Sequence, residues 1–96
     1  MHVLALAVDL HLPECRSLKA KRSVLRPILD GVREHFPVAI AETDWQDTWQ
    51  RAQLGVAAVS SSARVAQEIV DEVERFVWSC PDIEVTEVRR HWLEED

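Results

Sequence analysis

The ten residues from Val3 to Leu12 alternate between two kinds of side chain, and this alternation limits the possible folds more than any other feature. Large aliphatic residues occupy every second position, namely Leu4, Leu6, Val8, Leu10 and Leu12. Between them lie smaller or polar residues, namely Ala5, Ala7, Asp9 and His11. A two-residue period places the aliphatic set on one face of a β-strand. We therefore predict a half-buried strand over Val3–Leu12, ended by Pro13.

The following segment repeats its apolar residues every three or four positions, which is the period of an α-helix. These residues are Leu18, Leu25, Ile28, Leu29 and Val32. Ser17 can accept hydrogen bonds from the first-turn amides, so we predict a helix capped at Ser17 that extends to about His35. Pro27 lies within the pattern. We expect it to kink the helix or delay its regular start, because proline lacks an amide hydrogen and its ring clashes with the preceding turn.

The rest of the chain predicts three strands and a second helix. Val38–Asp44 and Arg51–Ser60 are typical of strands, and Trp45–Gln50 between them is short enough for a hairpin. One of the serines at 60–62 should cap a helix over Ala63–Trp78, and a last strand should extend from residue 83 to about 93. The apolar stripe of this helix is Val65, Ile69, Val73 and Phe76. We expect the tail, residues 94–96, to be frayed.

This order of elements, β-α-β-β-α-β, predicts a single ferredoxin-like α+β domain over residues 1–96. Right-handed crossovers would place both helices on one face of a four-stranded antiparallel sheet with strand order 4-1-3-2. The predicted core is Leu6, Val8, Leu25, Ile28, Leu54, Val56, Ile69 and Val73. The same topology would bring residues 16–22, 45–51 and 80–82 together at one edge of the sheet.

The longest apolar stretch, Val3–Val8, is far shorter than the roughly 20 residues that span a bilayer, and it lacks the charged start and small-residue cleavage site of a secretory signal. We therefore expect a cytoplasmic protein without a membrane partner. Cys15 and Cys80 lack the spacing of a zinc site, and we expect both to be free thiols.

Positive charge is concentrated in one part of an acidic chain. The formal net charge is −6, yet residues 16–33 contain six of the 11 Lys and Arg residues and one acidic residue. This segment therefore carries +5 and the remainder −11. Global acidity argues against unspecific attraction to nucleic acid, but it leaves a defined anion-binding face possible.

The start of the first helix is the first candidate site. Cations in a first turn oppose the helix dipole, so they are not placed there for helix stability. Exposed amides with lysine and arginine side chains suit a phosphate of RNA or of a nucleotide. The candidate anion-binding residues are Arg16, Lys19, Lys21, Arg22 and Arg26. The alternative is a solvated basic face balanced by nearby acidic residues.

The hairpin segment TDWQDTWQR, residues 43–51, is the second candidate. Trp45 and Trp49 could stack on bases while the neighbouring cations hold the backbone. Alternatively, either ring could cap the core or lie in a dimer contact. Gln50 and Arg51 could contribute to the site, or could serve as internal ties to Glu42 or Asp47.

No constellation for catalysis or cofactor binding is present. His2, His11, His35 and His91 lack the spacing of a metal site or a catalytic base. The chain contains two glycines, which excludes the usual nucleotide-binding loops. We therefore predict a protein that is not an enzyme and that has no metal or cofactor.

Three segments together resemble the YlxP family of small bacterial domains of unknown function. They are SLKAKR at residues 17–22, AETD at 41–44 and QDTWQRAQLGVAAVS at 46–60. The resemblance covers nearly the whole chain and implies a ferredoxin-like fold in the bacterial cytoplasm. It also implies a genomic setting among genes for translation initiation and ribosome maturation. It brings no catalytic residues with it.

Two functions remain open from these observations. The first is binding to structured RNA, in particular ribosomal RNA of the small subunit, through the basic helix start and the hairpin. The second is homo-oligomerisation, for example as a homodimer, through the open face of the sheet. That face would carry Ala5, Ala7, Ala39, Ala41 and Ala57.

Overall fold

The computed structural model describes residues 1–93 and confirms the predicted order of elements. The elements are β1 (His2–His11), α1 (Leu18–His35), β2 (Ala39–Asp44), β3 (Arg51–Ser60), α2 (Ala63–Trp78) and β4 (Glu84–Trp92). Each boundary lies within one residue of its predicted position. The predicted fraying of Glu94–Asp96 lies outside the described residues. No helix within residues 1–93 is long and apolar enough to span a bilayer.

The four strands form one antiparallel sheet in the order β2-β3-β1-β4, which is the predicted order counted from the opposite edge. β1 pairs with β3 over its full length, from His2 opposite Ser60 to His11 opposite Arg51. α2 packs over β1 and β3, and α1 packs over β2 and against α2. The fold is therefore ferredoxin-like, with both helices on the same face of the sheet.

The alternation in β1 and β3 places their aliphatic side chains under the helices. Leu6, Val8, Leu54 and Val56 are all at most 3% exposed. β4 departs from simple alternation, because its pairing with β1 shifts between Asp9 and Leu10. As a result, the half-buried residues of β4 that pair with Val8 and Leu10 are three positions apart rather than two: Val88 and Val85.

Both helices begin at serine caps. The Ser17 hydroxyl accepts a hydrogen bond from the Ala20 amide at 3.0 Å, and the Ser62 hydroxyl accepts one from the Val65 amide at 3.3 Å. α1 continues through Pro27 as one element. The expectation that Pro27 delays the regular start of the helix is therefore wrong: proline removes one internal hydrogen bond, and the apolar contacts of the helix on both sides of it are retained.

The face that α2 turns toward the sheet differs from the predicted one. Its buried residues are Ala66, Val70, Val73 and Val77, whereas Val65, Ile69 and Phe76 are only half-buried. Ile69, which was predicted in the core, packs against the buried cluster but is itself only half-buried. Phe76 instead turns toward α1, where its ring meets Phe36 edge-on with the centroids 5.8 Å apart. α2 packs on two neighbours, so its apolar surface is wider than one stripe.

Candidate functional site

The exposed face of α1 carries a row of cations. Lys19, Arg22 and Arg26 are spaced by three and four residues, so they share one face of the helix. Arg16 is exposed in the loop just before the helix. Within residues 1–93, these four side chains have no carboxylate within ion-pair distance, unlike Arg64, Arg89 and Arg90. Four free positive charges therefore lie along the beginning and first half of α1.

Lys21 differs from these cations because its side chain is only 2% exposed. Its ammonium donates to the carbonyl oxygens of Trp45 and Thr48 at 2.6 and 2.8 Å. It also lies 2.7 Å from Oε2 of Glu42. The ammonium thus makes two hydrogen bonds and one ion pair, all within the protein. The placement of Lys21 thus does not agree with its prediction as an anion-binding residue.

The contact between Lys21 and Glu42 is an ion pair rather than a well-directed hydrogen bond. Oε2 of Glu42 is buried and receives no hydrogen bond of acceptable geometry from any described residue. The carboxylate is therefore held by the charge of Lys21. The other oxygen, Oε1, remains accessible and also receives no hydrogen bond from the described part of the chain.

Gln50 is a second internal tie. Its side-chain amide donates to the carbonyl oxygens of Pro13 and Cys15 at 3.4 and 3.2 Å. Its backbone carbonyl accepts a hydrogen bond from the backbone amide of Leu12 at 2.9 Å. The alternative interpretation of Gln50 as an internal tie is thus the one that agrees with the structure, although its partners are neither Glu42 nor Asp47. Together with Lys21, Gln50 holds the β2–β3 loop against the beginning of α1.

The two loop tryptophans have different environments. Trp45 has φ of 66°, a left-handed conformation that is uncommon for a bulky residue, and its amide donates to Oδ1 of Asp44 at 2.8 Å. The Arg51 guanidinium carbon lies 3.8 Å from the centre of the Trp45 ring, which is a cation–π stack. Trp49 is 51% exposed. One ring is thus partly covered by an arginine, and the other is open to solvent.

These contacts hold the β2–β3 loop beside the beginning of α1. Arg51 alternates with the buried Ala52 and its charge acts on Asp9, so its side chain lies toward the open side of the sheet. We call the predicted residues at this end of the molecule the basic surface. It consists of the four free cations of the α1 region, the Trp45–Arg51 stack and Trp49. Lys21 and Gln50 lie beneath it and fix the loop to the helix. The structural role of Lys21 was not predicted, although the sequence indicates it: Lys21 is in phase with the buried Leu25, Ile28 and Val32.

Neither cysteine has the environment of an activated nucleophile. Cys15 is buried and Cys80 half-buried, and both are free, as predicted. Burial raises the pKa of each thiol, so both remain protonated and weakly nucleophilic near neutral pH. Within residues 1–93, no group of three or more His, Cys, Asp or Glu residues is arranged to hold a metal ion.

The open face of the sheet, opposite the helices, is a second distinct surface. Small residues leave a broad, shallow depression of about 740 Å³, lined mainly by Ala5, Ala7, Ala39, Ala41, Gly55 and Ala57. A side chain at position 55 would collide with Thr43, whose methyl carbon lies 2.5 Å from the place of a Cβ atom. At the end of this face, Arg89 and Gln53 donate hydrogen bonds to Asp9 and lower the pKa of its carboxyl group.

Comparison with known proteins identifies the family. The family model described as "Protein of unknown function (DUF503)" matches residues 3–90. The chain belongs to the DUF503 family. A similar curated relative of this DUF503 protein is "Uncharacterized protein YlxP" of Bacillus subtilis (strain 168), which is 47% identical over 77 residues. The match covers 80% of this chain and 84% of the relative, and it confirms the YlxP-like resemblance.

A solved structure independently supports the fold. The solution NMR structure of the de novo designed protein LFR1 1, described as having a ferredoxin fold, superposes with a TM-score of 0.53. The superposition covers 99% of this chain and 88% of the designed chain, at 15% sequence identity. At that identity the similarity concerns the fold alone.

Proposed function

We propose that this DUF503 protein binds structured RNA, with the small ribosomal subunit as its docking partner, through the basic surface. The observation that carries the proposal is the set of four free cations, Arg16, Lys19, Arg22 and Arg26, on a chain of net charge −6. Solvated surface charges are usually interspersed with opposite ones, as Arg64 is with Glu68 at 2.8 Å. A row of unpaired cations has the form of a phosphate-binding surface.

The aromatic residues beside these cations support RNA in particular. Single-stranded loops of RNA present unstacked bases that stack on aromatic rings and on guanidinium planes. Trp49 offers an open indole, and the Trp45–Arg51 stack offers both kinds of group. Lys21 and Gln50 hold these groups next to the basic helix before any RNA arrives. Less side-chain ordering is then required on binding.

The proposal is tested by the salt dependence of RNA binding. Each phosphate contact contributes roughly 0.7–0.9 to the slope of log affinity against log salt concentration. Replacing Lys19 and Arg22 together by Gln should therefore reduce the magnitude of this slope by about 1.4–1.8. Affinity for ribosomal subunits and for a fragment of ribosomal RNA should be measured at several salt concentrations by co-sedimentation and fluorescence anisotropy. The melting temperature should not fall, because removing cations from a first turn relieves repulsion with the helix dipole.

A matched pair of single variants serves as the control. Arg22→Gln and Arg64→Gln each remove one exposed arginine near the beginning of a helix. Arg64 follows the end of β3 that is remote from the β2–β3 loop, so its loss should leave the slope unchanged. Equal effects of the two variants, or unchanged binding of the Lys19/Arg22 variant at all salt concentrations, would refute the proposed docking surface.

A second candidate function is self-association through the open face of the sheet. The observation that favours it is the shallow depression of alanine and glycine residues on that face, which presents apolar surface to solvent. A second copy of the chain would bury the same face on both protomers, as a two-fold interface requires. The two candidates rest on different sets of residues and can be tested separately.

A further inference from the structure

A cleft lies between α1 and the edge strand β2, next to the basic surface. Its volume is about 230 Å³. Sites for drug-sized ligands usually measure about 300–1,000 Å³, so this cleft has room for one flat ring system rather than for a larger ligand. Leu18, Leu25 and Leu29 supply apolar wall, and Arg22 and Arg26 line it from the exposed side of the helix.

Glu42 and Gln46 line this cleft, and each has a side-chain oxygen that receives no hydrogen bond within residues 1–93; the carboxylate of Asp30, 3.6 Å from Arg33, lies farther along the same wall of α1. Oε1 of Glu42 is accessible and unbonded within residues 1–93, because Lys21 lies against the other oxygen. The Gln46 side chain donates through Nε2 to the backbone carbonyl of Glu42 at 3.3 Å. The bonded atom must be the amide nitrogen, because its partner is a carbonyl, so Oε1 of Gln46 is the free atom. A ligand that bonds to both side chains therefore presents two N–H donors.

We propose that the α1–β2 cleft binds a guanine base whose phosphate is held by Arg22 and Arg26. Among the four RNA bases, only guanine places two adjacent donors, N1–H and the N2 amino group, on its Watson–Crick edge. Adenine, cytosine and uracil each place an acceptor next to their donor, and that acceptor would face a carboxylate or a carbonyl oxygen. Such an unpaired polar contact in a partly buried site lowers affinity.

The charges of the cleft agree with a base that carries a phosphate. Arg33 is occupied by Asp30 at 3.6 Å and by the carbonyl of Ile40 at 3.1 Å. Arg22 and Arg26 have no partner within residues 1–93 and can receive the phosphate oxygens. The inference that this guanine belongs to an RNA molecule rests on the proposed function. A free guanine nucleotide is the other source of the same chemistry, and the experiment distinguishes the two.

The first measurement is a titration of the protein with guanosine monophosphate and, separately, with inosine monophosphate. Binding is detected by changes in the NMR chemical shifts of the backbone amides. Inosine lacks only the N2 amino group, so the comparison changes the ligand and leaves the protein intact. The guanine nucleotide should bind at least about fivefold more tightly, the lower limit for loss of a good base contact. Shifts should be concentrated at Leu25, Leu29 and Gln46. Equal affinity for the two nucleotides, or shifts elsewhere, would overturn the guanine site.

Protein variants provide the second measurement. Gln46 is exposed, so Gln46→Met should fold normally and should reduce the preference for guanine over hypoxanthine toward one. The same substitution at the exposed Gln67 of α2, which does not line the cleft, is the matched control and should leave the preference unchanged. If the Gln46→Met variant kept the full preference for guanosine over inosine monophosphate, the role assigned to Gln46 would be wrong, and so would the two-acceptor site.

The third measurement separates this inference from the proposed function. Short oligonucleotides containing one guanine or one adenine should compete with guanosine monophosphate, and the guanine-containing one should displace it at lower concentration. If RNA binds with the expected salt dependence but no mononucleotide enters the cleft, the guanine site is wrong and the proposed RNA surface stands. If guanosine monophosphate binds selectively and oligonucleotides do not compete, the site stands and RNA is excluded as its source.

Discussion

Lys21 shows how the role of a residue depends on its phase within a helix. It lies among cations in the sequence, but it shares the helix face of Leu25, Ile28 and Val32 rather than that of Lys19 and Arg22. Its aliphatic stem is covered by the core, and its ammonium reaches two loop carbonyls and one carboxylate. Burying an ammonium without such partners would be strongly unfavourable. Lys21 is therefore a structural residue of the β2–β3 loop.

Replacing Lys21 by Met should destabilise the protein by about 2–3 kcal/mol. This estimate lies below the 3–5 kcal/mol that loss of one member of a fully buried pair costs, because Glu42 retains access to water. The free energy of unfolding should be measured by chemical denaturation. Adding Glu42→Gln to the Met variant should recover part of the loss, since the carboxylate left unpaired is then removed. A loss below about 0.5 kcal/mol would show that the Lys21 contacts do not hold the loop.

At the scale of the elements, the central strands β1 and β3 carry most of the specificity of the fold. Every second residue of each strand is buried beneath the helices, and the pairing between them is continuous over ten residues. A shift of one residue would turn each aliphatic face to solvent, so the register is strongly determined. β4 follows a different rule, because its bulge opposite Asp9 and Leu10 breaks the two-residue period.

The assignment of the buried face of β3 can be tested by comparing one substitution on each face of the strand. Leu54 is fully buried opposite Val8, so Leu54→Ala should reduce the free energy of unfolding by about 2–5 kcal/mol, as is usual for truncation of a buried leucine. Val59 lies on the other face of the same strand and is 58% exposed. Val59→Ala should therefore change stability by less than about 0.5 kcal/mol. Similar losses for the two variants, measured by denaturant titration, would contradict the assigned register.

At the scale of the whole molecule, three surfaces have different character. The basic surface and the cleft beside it lie at the beginning of α1. The centre of the open sheet face is apolar and made of small residues, with Asp9, Gln53 and Arg89 at one end, and acidic residues predominate elsewhere. An acidic remainder would repel RNA from all but the basic surface, so binding would be oriented. The open sheet face would stay available for a second copy of the chain.

Self-association through that face is tested by Ala7→Glu. Ala7 lies at the centre of the open face, between Gly55 of β3 and Arg89 of β4. In a monomer the new carboxylate would be solvated beside Arg89, so the fold should be retained. In a two-fold interface it would be buried, which is strongly unfavourable, so a dimer should become a monomer. Light scattering with size exclusion measures the mass, and Ala63→Glu at the exposed beginning of α2 is the control. A dimer that survives Ala7→Glu does not use this face.

Features that depend on neighbours along the chain could be predicted before the structure was known. The two-residue period of β1 and β3, the serine caps at Ser17 and Ser62 and the order of elements led to the correct topology, because backbone geometry converts local spacing directly into faces and ends. The family resemblance followed from the same residues. The segments that meet at the beginning of α1 were also predictable, because the topology alone brings them together.

Which side of an amphipathic element packs against which partner could be learned from the folded molecule alone. α2 packs against both the sheet and α1, and its helical period does not say which apolar side chains meet each of them, so the burial of Ile69 was overestimated. Lys21 was grouped with its charged sequence neighbours, because its carbonyl partners at Trp45 and Thr48 lie more than 20 positions away. The left-handed Trp45 with Arg51 stacked on its ring likewise depends on the folded loop. Contacts of this kind leave no periodic pattern in the sequence, because their atoms come within bonding distance only when the chain is folded.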